Sequence, residues 1–278
     1  MRIALVQQHA THDRTENLAR GLAAARAAID RGAQVIAFAE LAFERFHPQH
    51  ACAGAPPFEL AETIPGPTTD RLSALAREHG VVVIPNLYER DGARTFDTTA
   101  VIDADGSLLG VTRMLHITRY EGFYETDYYA PGDRLAPVYA TLHGRIGVAI
   151  CYDRHYPEVM RALALEGAQV VVVPQAGTIG EWPEGLYEAE LRVAAFQNGY
   201  FTALVNRVGR EEVLDFAGES FVCDPDGNVV ARASSQRDEV LVHDLDLAHV
   251  ERSIARRLFL RDRRPEIVGA LLGAHDRS

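Results

Sequence analysis

Cys151 ends an apolar run, "RIGVAI", and is followed by the turn-forming "YDRHY" and by Pro157, which suits the first position of a helix. A thiol at a strand-to-helix turn projects from the edge of a sheet, as an enzyme nucleophile does on an elbow. A helix N-terminus close by favours the thiolate. The bland alternative is a small buried hydrophobe, which is what most unpaired cysteines are. Glu40 closes a second apolar run, "QVIAFAE". Such a carboxylate is partly desolvated, which raises its pKa towards the range of a general base. Taken alone, Glu40 reads better as a helix cap or a solvated strand end. The pair carries more, because the ends of neighbouring parallel strands converge on one pocket. Glu125 lies in an aromatic stretch with Tyr120, Phe123, Tyr124, Tyr128 and Tyr129. It is either a surface residue on a loop or an orienting group inside a pocket, and the residues alone leave both open.

The runs that carry these residues read as alternating strands and helices. "IALVQQ" (3–8) is followed by "RTENLARGLAAARAAIDRGA" (14–33), with Leu18, Leu22, Ala25 and Ile29 at helical spacing, and then by the strand "QVIAFAE" (34–40). This is a βαβ unit. A helix over 67–80 has Thr69 or Asp70 as N-cap and Gly80 as C-cap, and a strand over 81–89 follows. Asp105-Gly106 and Asp226-Gly227 each sit between apolar runs and predict hairpins over 98–113 and 220–233. Asp97 and Asp103 read as hairpin and turn residues. Strand, helix and strand recur over 145–176. A helix over 185–199 and strands over 200–209 and 239–247 complete the set. The reading is one α/β domain over 1–268, with a C-terminal tail over 269–278.

Bulk properties exclude several functions. The net charge of −11 argues against nucleic acid, whose binding needs a basic patch, and against an anionic membrane surface. No apolar run reaches the roughly 18 residues of a membrane span, and the first residues read as a core strand rather than a secretory signal. Cys52, Cys151 and Cys223 match neither a zinc site nor a disulfide framework, which fits a reducing cytoplasm. All 28 basic residues are arginine, and the chain contains no lysine.

Four blocks together resemble the nitrilase superfamily of carbon–nitrogen hydrolases: Glu40 after "VIAFA", "RMLHITRYEGFYETDYYAPGD", "GRIGVAICYDRHYPEVMRALALEGAQVVVVPQA" and "ELRVAAFQNGYFTALVNRVG". "RDRRPE" (261–266) resembles a C-terminal segment of its carbamoyl-hydrolase branch, the branch of β-ureidopropionase and N-carbamoylputrescine amidase. The resemblance implies a four-layer α-β-β-α sandwich that pairs with a second copy across a helical face. It implies a Glu-Lys-Cys set acting on a small amide or N-carbamoyl substrate, without metal or organic cofactor. On this resemblance Cys151 is the nucleophile and Glu40 the base. Glu125 is the second glutamate that orients the others, and Arg154 is the place where a substrate carboxylate is held.

The resemblance also implies a lysine where this chain has Met114. A thioether neither donates a hydrogen bond nor carries charge, and losing one oxyanion donor costs about 10²–10³ in rate. Three readings follow. Arg113 supplies the charge, although adjacent strand residues point to opposite faces. Backbone N–H groups and Glu125 suffice for a slower or altered hydrolysis. Or the pocket binds without turnover, with Met114 filling an apolar wall. His116 and His155 read as structural hydrogen-bonding residues. Trp182, in "TIGEWPEG" (178–185), lies either over the pocket or packed on the sheet.

Overall fold

The computed structural model describes residues 1–135 and 137–269, so nearly all of the expected tail lies outside the described residues. In chain order the elements are β1 (Arg2–Gln7), α1 (Arg14–Asp30), β2 (Val35–Phe38), α2 (Pro67–His79), β3 (Val82–Ile84), β4 (Asn86–Asp91), β5 (Arg94–Ile102) and β6 (Leu108–Arg113). Then follow β7 (Tyr139–Thr141), β8 (Gly144–Val148), α3 (Pro157–Leu165), β9 (Val170–Gln175), α4 (Leu186–Asn198) and β10 (Phe201–Asn206). Last come β11 (Val208–Arg210), β12 (Asp215–Ala217), β13 (Phe221–Cys223), β14 (Val229–Arg232), β15 (Glu239–Asp244) and α5 (Leu247–Arg252).

Two sheets form. One runs β15-β1-β2-β3-β5-β4 with β6 added to β5, and the other runs β14-β13-β10-β9-β8-β7. β1, β2 and β3 are parallel, as are β8, β9 and β10. Strand alternation sorts their side chains into layers. Ile3, Leu5, Val35, Ala37, Val170 and Val172 meet between the sheets. Ala4, Val6, Ile36 and Phe38 pack outward on Leu18, Leu22, Leu72 and Leu75 of α1 and α2. Val171, Val173 and Leu204 pack outward on Val159, Leu163, Leu191 and Ala195 of α3 and α4. The result is the α-β-β-α sandwich. It explains why these strands are apolar on both faces: each inner strand is covered twice.

The local signals hold, with shifts at the ends. Gly106 and Gly227 both take φ of +81 at the tips of the β5–β6 and β13–β14 hairpins, a conformation other residues resist. Gly80 caps α2 in the left-handed region. The N-cap of α2 is Gly66, not Thr69 or Asp70. Pro67 opens the helix, and Thr69 lies at its third position, where its Oγ1 accepts the Gly66 N–H at 2.8 Å. The strand expected over 81–89 breaks at Pro85 into β3 and β4, and a further hairpin joins β4 to β5 through Gly92.

Candidate active site

Glu40 follows β2 and Cys151 follows β8. The two strands belong to different sheets, so these are not neighbouring strands of one sheet as their sequences suggested. They converge because the sheets are stacked, and each residue sits at a forced bend. Cys151 has φ of 43, and Leu41, directly after Glu40, has φ of 45. Non-glycine residues enter this region only where their surroundings hold them. Cys151 begins a single 3-10 turn, Cys151–His155, before α3.

Glu40 is fully buried, Glu125 is 1% exposed and Cys151 is 5% exposed. Glu125 thus stands inside, on the turn Glu125–Asp127, where its Oε2 accepts the Thr118 N–H at 3.2 Å. A further carboxyl joins them. Asp97 is a hairpin residue, as expected, paired with Tyr88 across the β4–β5 hairpin, but it is fully buried. Its Oδ1 accepts from Asn86 Nδ2 at 2.6 Å. The readable signal was an acid inside the strand-like run "TFDTTAVI" rather than beside a glycine or proline.

The electrostatics follow from this crowding. Burial, then the neighbouring Asp97 and Glu125, push Glu40 well above the usual carboxylate range. Burial lifts Asp97 to about 7 despite the Asn86 hydrogen bond. Burial lifts Glu125 to about 8 despite the Thr118 N–H. Both Glu40 oxygens, Asp97 Oδ2 and Glu125 Oε1 are buried without a hydrogen-bond partner. The thiol departs from expectation. Burial and Glu40 push Cys151 well up, so the helix N-terminus does not hold it as a thiolate at rest. Gln175 Nε2 donates to its Sγ at 3.2 Å.

Met114 is fully buried and belongs to the same inner cluster as Cys151. Its N–H donates to the Asp97 carbonyl at 2.9 Å, and its carbonyl accepts from Gly132 at 2.8 Å. Asp153, a residue the sequence reading passed over, accepts the N–H groups of Leu115 and His116 and so ties this segment to the Cys151 turn. His116 Nδ1 also lies 2.7 Å from Asp153 and its ring stacks on Tyr156, which is the structural part expected of it. Arg113 points the other way, to Glu89 and Asp91 at 2.6 and 2.8 Å.

Arg154 is fixed by the protein itself. Its Nε meets Glu190 at 3.1 Å, and its Nη1 donates to the Cys151 carbonyl and Gln175 Oε1 at 2.9 and 2.8 Å. Nη2 alone is buried without a partner. His155 shares Glu190, at 2.6 Å from Nδ1. The Trp182 loop lies on the site side. Glu181 accepts from Tyr120 at 2.5 Å and from Tyr187, and Trp182 packs edge-on against Tyr120 and His155. Arg207, also missed, is 1% exposed and donates to the carbonyls of Glu40, Leu41 and Glu44. In sequence it is one arginine of "VNRVG", with no hint of its distant partners.

A thiol, a carboxylate against it and further buried carboxyls can together form a covalent intermediate and move protons. Known proteins share this architecture. An N-carbamoylputrescine amidase of Solanum lycopersicum is 34% identical over 97% of this chain and 94% of its own. A carbon–nitrogen hydrolase of Helicobacter pylori superposes with a TM-score of 0.89 at 29% identity, covering 98% of each chain. A mutant of an amidase of Nesterenkonia sp., solved after Michael addition of acrylamide to its active-site cysteine, superposes with a TM-score of 0.81 at 28% identity, covering 98% of this chain and 99% of its own. The carbon–nitrogen hydrolase family matches residues 2–255, and the chain belongs to it.

Proposed function

We propose that the protein hydrolyses a C–N bond of a small amide or N-carbamoyl compound and releases ammonia, with Cys151 as nucleophile. The observation that carries this is the Cys151 thiol held at a strained bend against the unpartnered carboxyl of Glu40. In this reading Glu40 takes the thiol proton as sulfur attacks the carbonyl carbon, then returns it to the departing nitrogen. Water completes the cycle. Glu125 holds the reacting groups in line. Arg154 offers the substrate its Nη2 rather than a two-pronged grip, since Glu190 and Gln175 occupy the rest of the fork.

Ammonia release by the purified protein, beside Cys151→Ala, tests the reading on N-carbamoyl-β-alanine, N-carbamoylputrescine and short amides. Release that disappears in the variant is the expected result; equal release from both proteins rules the thiol out. With Met114 in place of an ammonium, turnover on neutral amides should be low, by about 10²–10³ relative to a complete oxyanion site. A second reading, ligand binding without turnover, draws on the buried Met114. Ammonia release on no substrate would support it.

We further propose pairing with a second copy through α3 and α4, whose outer face exposes Leu165 and Val193 around a groove of about 730 Å³. Val193→Asp should shift the protein to monomer in light scattering, and an unchanged mass would exclude this face.

A further inference from the structure

Among the described residues, no ion pair or hydrogen bond joins the Glu40, Asp97 or Glu125 carboxyl to an arginine. The chain has no lysine, and Met114 is a buried thioether. Among the described residues, the arginines nearest by contact are already committed. Arg113 is turned to Glu89 and Asp91, Arg207 to main-chain carbonyls and Glu211, and Arg154 to Glu190, Gln175 and the Cys151 carbonyl, with only its Nη2 left without a partner. Meanwhile both oxygens of Glu40, Asp97 Oδ2 and Glu125 Oε1 are buried acceptors without donors. Unmade hydrogen bonds of buried carboxyls are expensive, and they persist in a folded protein where a ligand supplies the missing donors. Acceptors placed in this way suit a small ligand that is rich in N–H and carries positive charge.

We infer that the substrate carries its positive charge on the reacting carbon, as an amidine or guanidine does, and that Met114 stands where an ammonium would have repelled it. This rests on Cys151 and Glu40 acting as proposed above. An amidinium or alkylguanidinium is planar and presents N–H donors along its edges, the complement of carboxylate acceptors at several sides. The chemistry also removes the need for a lysine. Cys151 Sγ bonds to the cationic carbon while Glu40 takes the thiol proton, and the C=N electron pair moves onto nitrogen. The adduct is a neutral carbon bearing sulfur and two amino groups, not an oxyanion. Glu40 returns its proton to one amino nitrogen, the C–N bond breaks, ammonia leaves, and a cationic thioimidate remains. Water adds to that carbon with Glu40 taking a proton, giving a second neutral adduct. Its C–S bond breaks as the hydroxyl proton passes to sulfur, leaving the amide or urea and free Cys151. The proton on Glu40 ends on ammonia, so the net reaction is amidinium plus water to amide plus ammonium. No step develops a negative oxygen for an ammonium to stabilise. A substrate of this charge also favours the ionised form of these carboxyls, which burial and their mutual crowding disfavour.

Matched pairs test the inference: butyramidine against butyramide, and propylguanidine against propylurea, with ammonia release from the wild type, Met114→Lys, Met114→Leu and Cys151→Ala. The cation of each pair should exceed its neutral partner at least about tenfold in kcat/KM. Met114→Lys should lower the cation's kcat/KM about a hundredfold and raise that of the neutral partner, while Met114→Leu leaves the ratio unchanged. Opposite changes on two substrates cannot come from misfolding. If Met114→Lys does not fold, the wild-type ratio decides. Faster turnover of the neutral partners would overturn the inference and leave the hydrolase reading intact. Turnover of neither would overturn both.

Discussion

Asp97→Asn should make the protein more stable at pH 8 by several kcal/mol while leaving its stability near pH 4 almost unchanged. Asp97 is lifted by burial to about 7, against about 3.9 in an unfolded chain. A carboxyl raised on folding binds more protons in the native state than in the unfolded state between those two values. Stability therefore falls as pH rises, by about 1.4 kcal/mol per unit for each such group, until the folded pKa is passed. Glu125, lifted to about 8, adds a second slope of the same sign over a slightly higher range. The wild type should melt at progressively lower temperature from about pH 5 to about pH 8. Asparagine keeps an Oδ1 acceptor for Asn86 and does not titrate, so the variant loses one slope and keeps the other. Calorimetric melting of both proteins across a pH series reads the difference directly, and ordinary surface carboxylates cancel from it. Parallel curves for the two proteins would mean that Asp97 is ionised at no cost and that the crowding is relieved by some other means.

The second large effect concerns Arg207. Its guanidinium is nearly inaccessible and is spread over the carbonyls of Glu40, Leu41 and Glu44, the Glu211 carboxylate and the face of Phe216 at 5.0 Å. Arg207→Met removes the donors, leaves buried carbonyls unanswered and strips Glu211 of its nearest cation, leaving it the Phe46 N–H, Gln49 and the more distant Arg45, which costs about 3–5 kcal/mol. For a chain of this size the melting temperature should drop by about 5–9 °C. Arg207→Lys should not restore it, because one ammonium cannot reach acceptors arranged for a planar fork. Adding Glu211→Gln to Arg207→Met should recover part of the loss by removing the stranded charge. The same turn carries Leu41 at φ of 45 and aims Glu40, so turnover should fall further than stability alone explains. A loss below about 1 kcal/mol would show that water replaces the guanidinium easily.

Much of the scaffold was legible because its signals are local. Four- to six-residue apolar runs are too short for helices, aspartate-glycine pairs mark hairpins, and Gly80 stops a helix by its own conformational freedom. Cys151 and Glu40 announced themselves as reactive types at the ends of such runs, and the missing lysine was visible from composition alone. What stayed hidden depends on partners far along the chain. Nothing in "QVIAFAE" or "RIGVAI" says that the two runs lie in different sheets. Asp97 read as a hairpin residue, which it is, but nothing local says that its carboxyl is buried beside Glu40. Arg154 looked like a free grip on substrate because Glu190, which holds it at 3.1 Å, belongs to another helix. The thiol's raised pKa was likewise invisible, since burial and a facing carboxyl outweigh whatever the following turn contributes.

The pairing of β1 with β15 sets the order in which this chain can be assembled. Gln7 pairs with Glu239 and Arg2 with Asp244, and Leu245 exchanges main-chain hydrogen bonds with Met1. On a ribosome adding about 5–20 residues per second, β1 therefore waits many seconds with one edge unclaimed. That edge belongs to "IALV", an apolar strand with open N–H and C=O groups, which is the kind of surface that recruits strands from other nascent chains. Fast elongation or cold-slowed release should thus matter little to the second sheet, whose central strands lie close together in sequence. The yield of soluble protein should instead depend on what shields the first strand until the last one arrives.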